Sequence, residues 1–128
     1  MGTSPIAEKE KLRSPRRGEI YLVAFDPTVG FEIQKTRPAV VIQNDVSNRY
    51  SPVTIVAAIS SQFADPAYPR EVIVEPAESG LPKRSAVIVN QIRTVDRRRL
   101  GKKLGRLSVA SVRRVDEAIK ISLGLIDI

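Results

Sequence analysis

Four polar side chains that could bind or activate a charged group lie close together in the chain: Glu32, Gln34, Lys35 and Arg37. They belong to the stretch DPTVGFEIQKTRPAVVIQND, residues 26–45, which joins two apolar runs. Rigid scaffolds usually carry binding and catalytic residues on such loops. Pro38 favours an extended backbone at Arg37, which would hold Arg37 at the start of a strand. The alternative is a surface hairpin in which Arg37 forms an exposed ion pair with Glu32.

The residue types that are missing limit the chemistry. The chain has 128 residues and contains neither cysteine nor histidine. Without cysteine it has no disulfide, no zinc ribbon and no thiol nucleophile. Without histidine, a Ser-His-Asp triad, phosphodiester cleavage by paired histidines and HExxH metal chemistry are excluded. Any catalysis must therefore use carboxylates, Arg, Lys, Tyr or hydroxyl groups.

Positive charge is concentrated in residues 93–114. The chain has 21 Lys and Arg against 14 Asp and Glu, a net charge of +7. Residues 93–114 hold nine basic residues and one acid, a net +8, so the rest of the chain sums to −1. A local basic surface favours a polyanion, with nucleic acid as the first candidate. A solvated loop and helix start that keep the protein soluble are the alternative.

Five runs rich in Val and Ile, bounded by Pro, Gly, Asn or Asp, predict short β-strands. They are Glu19–Phe25, Ala39–Asn44, Val53–Ser60, Arg70–Pro76 and Ser85–Ile92, and Lys102–Ser108 is a candidate sixth strand or extended connection. No helix is predicted between the five, which favours antiparallel pairing in a small barrel or strongly bent sheet. Apolar residues at three- and four-residue steps predict an amphipathic helix over 109–124, with Ser108 as its N-cap.

The ends of the chain differ in character. Residues 1–16 mix small, charged and proline residues without an apolar period, and are predicted to be a mobile basic leader. Residues 17–128 are predicted to form a single domain. The chain has no apolar run near 18 residues and no hydrophobic signal-peptide region, so a cytoplasmic protein is expected.

Several longer motifs stand out from Arg17 onwards: RRGEIYLVAFDPTVGFEIQKTRPAVVIQND, IVAAIS, NQIRTVD and VDEAIKISLGLI. Together they resemble the MazF/PemK family of toxin endoribonucleases. The resemblance implies a mainly β (α+β) fold, a small SH3-like barrel of about five to seven strands with a C-terminal helix, as in CcdB and PemK. It also implies a homodimer that cleaves single-stranded mRNA at short motifs without a metal or other cofactor. A cognate antitoxin with an acidic, disordered C-terminal segment would cover the RNA groove.

Position by position, the resemblance assigns three catalytic residues. The essential Arg before Pro is Arg37, the loop carboxylate is Glu32, and the hydroxyl that ends the third strand, most often Thr in the family, is Ser60. Asn90 stands where some members have an acidic residue, which removes one candidate base. Gln34 and Lys35 replace glycines that are usual in the family's loop. The residues expected to contact RNA are Phe31, Gln34, Lys35, Gln91, Arg93 and Lys103.

Metal-free cleavage requires the 2′-OH of RNA to attack the adjacent phosphorus, giving a cyclic phosphate and a free 5′-OH. Arg37 suits the stabilisation of growing charge on the phosphate oxygens, and Ser60 would add a second hydrogen bond. Glu32 would act as a general base or hold Arg37 in place. The alternatives are a CcdB-like poison that binds a protein such as DNA gyrase, a noncatalytic RNA-binding barrel, and a metal nuclease, which the lack of carboxylate pairs on any strand disfavours.

Overall fold

A computed structural model describes residues 14–64 and 71–127. The strands are β1 (Glu19–Ala24), β2 (Thr36–Val41), β3 (Val53–Ser60), β4 (Glu71–Val74), β5 (Ser85–Asp96) and β6 (Leu100–Arg106). The helices are α1 (Asp45–Tyr50), α2 (Pro76–Ser79) and α3 (Val109–Ser122), and a 3-10 turn at Arg97–Arg99 joins β5 to β6.

The six strands form one antiparallel sheet in the order β4-β5-β3-β2-β1-β6. In this order β5 and β6 are four strand spacings apart, about 19 Å in a flat sheet. The three-residue turn that joins them spans only about 6 Å. The sheet must therefore curl so that β5 and β6 approach each other. The expected mainly β fold, a small barrel-like sheet with a C-terminal helix, is confirmed.

The curl separates two hydrophobic cores on opposite faces of the sheet. The inner core, enclosed by the curled strands, consists of Val23, Phe25, Ala39, Val41, Val56, Ala58 and Val95. The outer core packs the other face against α3, and includes Ile20, Val40, Ala57, Ile59, Val87, Val89 and Val115. Neighbours such as Val40 and Val41 belong to different cores because side chains alternate along a strand.

Helix α3 is positioned by its first turn. The Ser108 hydroxyl accepts a hydrogen bond from the Ser111 amide at 3.1 Å, which confirms the predicted N-cap. Glu78 of α2 accepts from Ser111 at 2.8 Å and pairs with Arg114 at 2.7 Å. The Ser108 amide donates to the carbonyl of Glu78 at 2.8 Å. These contacts join the end of β6, α2 and α3 into one unit.

Three predictions about the elements are wrong. The strands are not free of intervening helices, because α1 and α2 lie between them. Asn44 leaves β2 to cap α1, accepting from the Ser47 amide at 2.8 Å, so β2 ends at Val41 and begins earlier, at Thr36. Strand β5 runs on to Asp96, four residues beyond the prediction, because Arg93–Asp96 continue the pairing with β3.

Residues 1–13 of the predicted leader lie outside the described residues. Pro15 is buried, and the amide of Arg16 donates to the Glu19 carboxylate at 2.6 Å. In the described part of the chain, no helix is long and apolar enough to cross a membrane.

Candidate active site

The loop between β1 and β2 is a folded turn on a closed base. At the base, the amide of Phe25 donates to the carbonyl of Lys35 at 2.9 Å. Near the tip, the Glu32 amide donates to the Val29 carbonyl at 3.1 Å. The Glu32 carboxylate accepts from the Val29 amide at 2.8 Å through Oε1. Gly30, inside this turn, has a φ of +57°, which glycine adopts without steric cost.

Arg37 and Ser60 lie at the same end of the neighbouring strands β2 and β3. The pairing of β2 with β3 ends at Ala39 and Ala58, and Arg37 and Ser60 each lie two residues beyond this last pair. Both side chains project on the side of Ala39 and Ala58, because residues two apart share a face of a strand. The two strand ends thus bring a guanidinium and a hydroxyl to one edge of the inner core.

The Arg37 guanidinium is exposed and only partly occupied. Its Nε donates to the carbonyl of Gln34 at 3.3 Å. Among the residues that the structure describes, its two terminal nitrogens have no hydrogen-bond or ion-pair partner. The alternative of an ion pair between Arg37 and Glu32 is wrong, because the turn of the loop directs the Glu32 carboxylate to the Val29 amide.

The Ser60 hydroxyl makes a local pair of hydrogen bonds. It accepts from the Gln62 amide and donates to the Gln62 carbonyl, both at 3.1 Å. A serine hydroxyl has two acceptor lone pairs and a hydrogen that rotates. It can therefore keep the Gln62 amide while turning its hydrogen towards a ligand.

Three side chains from β5 and the 3-10 turn hold the loop. Gln91 accepts from the Ile33 amide and donates to the Phe31 carbonyl, each at 3.2 Å. Arg93 donates to the Phe25 carbonyl and lies 5.9 Å from the centre of the Phe25 ring.

The third side chain is that of Arg99, which the sequence placed only among the basic residues of segment 93–114. It donates to the carbonyls of Ala24 and Asp26 at 2.9 and 2.6 Å. Arg99 therefore binds the backbone at the junction between the end of β1 and the start of the loop. The only sequence signal for this contact is the position of Arg99 at the turn between β5 and β6.

The three remaining loop candidates, Phe31, Gln34 and Lys35, are all exposed. The Phe31 ring is fully solvent-accessible, with 101% relative exposure. The Lys35 side chain has no partner among residues 14–64 and 71–127. Its φ of +66° lies in the left-handed region that non-glycine residues seldom adopt. All three side chains are therefore available to a ligand.

Lys103 lies away from the loop, in a cluster around Glu19. Its Nζ is 2.5 Å from Glu19 Oε2, and the Tyr21 hydroxyl donates to Oε1 at 2.9 Å. Burial by itself would raise the pKa of Glu19, but hydrogen bonds from Lys103, Arg16 and Tyr21 outweigh it, so this pKa lies below its ordinary value. Burial, together with the neighbouring Glu19 carboxylate, raises the pKa of Tyr21. The charge of Lys103 is thus largely compensated.

The basic segment 93–114 does not form one free surface. Arg98 pairs with Asp96 at 3.0 Å, and this contact lowers the Asp96 pKa to about 2. Arg114 pairs with Glu78 on the outer side of the sheet. Within the described ranges, three of the nine basic side chains in this segment lack a partner, those of Lys102, Arg106 and Arg113. No group of three carboxylates in these ranges could hold a metal ion.

Comparison with known proteins gives a consistent result. Residues 16–123 match the family described as PemK-like, MazF-like toxin of type II toxin-antitoxin systems. The chain is similar to a protein of Bacillus subtilis strain 168 named endoribonuclease EndoA. The two are 42% identical over 112 residues, which cover 88% of this chain and 97% of the relative.

Solved structures show the same fold at lower identity. MazF from Deinococcus radiodurans aligns with a TM-score of 0.74 and 24% identity, over 87% of this chain and 97% of that one. A mycobacterial endoribonuclease in complex with its cognate antitoxin aligns with a TM-score of 0.72 and 21% identity, over 89% and 99% of the two chains.

Proposed function

Because the chain belongs to the PemK-like, MazF-like toxins of type II toxin-antitoxin systems, we propose that it is an endoribonuclease that cleaves cytoplasmic single-stranded mRNA at short motifs without a metal. One observation carries the proposal. Arg37 and Ser60 lie at the same end of the neighbouring strands β2 and β3, each two residues beyond the Ala39–Ala58 pair, and the terminal nitrogens of Arg37 are free within the described chain. The Bacillus subtilis relative is itself named an endoribonuclease.

In the proposed reaction, the 2′-oxygen of the RNA attacks the adjacent phosphorus. A bond from this oxygen to phosphorus forms and the bond from phosphorus to the 5′-oxygen breaks, leaving a 2′,3′-cyclic phosphate and a 5′-OH. Glu32 takes the proton of the 2′-OH and later returns it to solvent, while the departing 5′-oxygen gains a proton from water. Among the described residues, only Oε1 of Glu32 has a hydrogen-bond partner, so Oε2 is available as the base.

The Arg37 side chain stabilises the charge that grows on the phosphate. Its planar fork presents two parallel donors, which suit a pair of phosphate oxygens. Ser60 adds a further hydrogen bond from the neighbouring strand. Loss of one preorganised donor of this kind costs about 10²–10³ in rate in other enzymes.

RNA binding is assigned to the exposed loop side chains. Phe31 offers a ring face on which a base can stack, and Gln34 and Lys35 offer a polar and a charged contact. Arg93 adds positive charge beside the loop while its guanidinium stays bound to the Phe25 carbonyl. Lys103 contributes less, because Glu19 compensates its charge.

Two protein partners are proposed. The first is an antitoxin whose acidic segment binds the basic site and blocks RNA; the mycobacterial structure contains a cognate antitoxin. The second is another copy of the chain. Three apolar side chains just after α3 are exposed: Leu123 by 61%, Leu125 by 70% and Ile126 by 41%. The rest of the domain leaves this apolar surface uncovered, and a second copy would bury it.

The test is cleavage of labelled RNA in EDTA by wild type and by Arg37→Lys. Lysine keeps the charge but cannot reproduce two parallel donors, so the single-turnover rate at saturating RNA should fall at least roughly 10²-fold. RNA affinity should change by less than about tenfold, because one phosphate contact is mostly electrostatic.

Lys83→Ala is the matched control, since Lys83 is exposed and its side chain has no partner in the described chain. It should leave cleavage at saturation unchanged. If wild type binds RNA but does not cleave it, the protein is a noncatalytic binder. If Arg37→Lys cleaves at the wild-type rate, the catalytic role of Arg37 is wrong.

A further inference from the structure

Strand β5 carries a bulge beside the β1–β2 loop. Ala57 of β3 pairs with Ile92, but the next residue, Ala58, pairs with Ile88. Residues 89–91 therefore have no partner on β3. A bulge of this kind bends a strand and re-aims its side chains, and such bulges are common beside active sites. Gln91 is the last residue of the bulge, and its side chain reaches the loop.

The contacts of Gln91 bracket Glu32. Its Oε1 accepts from the Ile33 amide and its Nε2 donates to the Phe31 carbonyl, each at 3.2 Å. A primary amide presents one acceptor and one donor side by side, so it pairs with the backbone as a neighbouring strand would. The Ile33 side chain, next to this contact, packs against the inner core. Gln91 thus fixes the loop on both sides of Glu32.

We propose that Gln91 is a positioning residue for RNA cleavage. By binding the backbone on both sides of Glu32, it holds the β1–β2 loop in the conformation that exposes the Glu32 carboxylate near the start of the strand that carries Arg37. The inference rests on the proposed function and gives Gln91 a role other than the RNA contact that the sequence suggests. One donor and one acceptor of its amide are already engaged by the loop. Arg93 and Arg99 hold only the base of the loop, so Gln91 supplies the contacts at its middle.

The experiment compares Gln91→Met with Gln91→Glu in the full-length protein. Methionine has a similar length but offers neither hydrogen bond. Glutamate as a carboxylate keeps an acceptor for the Ile33 amide and loses the donor to Phe31. Asn90→Ala is the matched control, because Asn90 is exposed and its side chain has no partner in the described chain.

Two quantities are measured. The first is hydrogen exchange of the Ile33 amide without RNA, relative to the Val56 amide in the inner core. The second is the single-turnover cleavage rate at saturating RNA together with RNA affinity. In Gln91→Met the Ile33 amide should lose protection relative to Val56. The saturated rate should fall about tenfold, as expected for loss of hydrogen bonds, and affinity should change by less than about threefold.

Gln91→Glu should keep the Ile33 amide protected and lose less of the rate, and Asn90→Ala should match wild type in every measurement. The proposal is overturned if Gln91→Met weakens RNA binding while Ile33 protection and the saturated rate stay at wild-type values. Should Gln91→Met unfold, a loss of Ile33 protection in Gln91→Glu overturns it. Hydrogen exchange can be measured without cleavage activity. A wild type that fails to cleave RNA would therefore contradict the proposed function, while the contact between Gln91 and the loop could still be tested.

Discussion

Lys35, in the loop between β1 and β2, is a lysine in a backbone conformation that favours glycine. Its φ of +66° places it in the left-handed region, which costs an L-residue about 1–2 kcal/mol. Its carbonyl closes the base of the loop by accepting from Phe25, so the conformation is fixed by the surrounding structure. Strain of this kind is typical of functional sites. We attribute the presence of lysine instead of glycine at this position to the positive charge that Lys35 presents beside Arg37.

Lys35→Gly should therefore raise stability and lower RNA affinity together. Relief of strain of about 1–2 kcal/mol, less about 0.5–1 kcal/mol of extra backbone entropy, gives a gain of about 0.75 kcal/mol in the free energy of unfolding at the midpoints of the two ranges. The salt dependence of RNA binding should become shallower by about one phosphate contact. Urea unfolding and salt titrations of RNA binding measure the two effects. Lys35→Arg, which keeps both strain and charge, should behave as wild type, and wild-type salt dependence in Lys35→Gly would refute the charge argument.

At this scale the sequence predicts side chains on regular strands better than those that reach across the fold. Arg37 comes just before one apolar run and Ser60 ends another. Because side chains alternate between the two faces of a strand, both share the inner face with Ala39 and Ala58. The contact of Gln91 depends on a bulge that leaves no mark in the Val and Ile pattern. The Arg93 and Arg99 side chains bind backbone carbonyls far away in sequence, and any residue type offers such a carbonyl.

Among the elements, α2 and β6 touch at a place that only glycine allows. A Cβ on Gly105 would lie 2.2 Å from the Ser79 carbonyl oxygen and 3.3 Å from the Cα of Gly80. The obstacle is backbone and cannot rotate away. Gly105→Ala should lower the free energy of unfolding by at least about 2 kcal/mol.

Urea unfolding of Gly105→Ala and Gly101→Ala checks this expectation. Gly101 lies on the same strand, but its added Cβ would be 3.3 Å from the Leu22 carbonyl oxygen, which a small shift relieves. Its loss of stability should be clearly smaller. Equal losses in the two variants would show that the contact between α2 and β6 is not the cause.

The elements also show where local patterns lose information. Strand β3 and the N-cap of α3 are predicted correctly, because a Val and Ile run and a serine before a 3.6-residue period are strong signals. Helix α1 is too short to show a period. Its stability comes from Asn48, which is fully buried and is hydrogen-bonded to Gln43 and Thr54. The N-cap residue Asn44 was the available local signal.

For the whole molecule, Glu19 links stability to pH. Its pKa in the folded state lies below the ordinary value of 4.5. Between these two values the unfolded chain binds the proton more readily, so the contribution of Glu19 is present above about pH 4.5 and is lost as the pH falls through the folded-state pKa. Glu19→Gln should cost about 1–3 kcal/mol at neutral pH, and the difference from wild type should shrink in acid.

The measurement is urea unfolding of both proteins from neutral pH down to the acid range. Glu117→Gln is the control, because the ion pair between Glu117 and Lys120 is exposed and contributes about 0–1 kcal/mol. A difference between Glu19→Gln and wild type that stays constant with pH would contradict the assignment.

Assembly is also a property of the whole molecule. The exposed apolar end of α3 should be covered by a second copy in a two-fold dimer. Sedimentation at micromolar concentration should show the dimer, and Leu125→Glu should shift it towards the monomer. A stable monomeric wild type would contradict the expectation.

The contacts of the β1–β2 loop also fix the order in which this loop becomes ordered during synthesis on the ribosome. Arg37 and Glu32 are made early, whereas the side chains that hold their loop belong to residues 91–99. Strand β1 cannot acquire its second neighbour until β6 has emerged. A nascent chain that ends before Gln91 therefore carries Glu32 and Arg37 without any of the three side chains that hold the loop, so ordering of the loop is delayed until most of the protein has been translated.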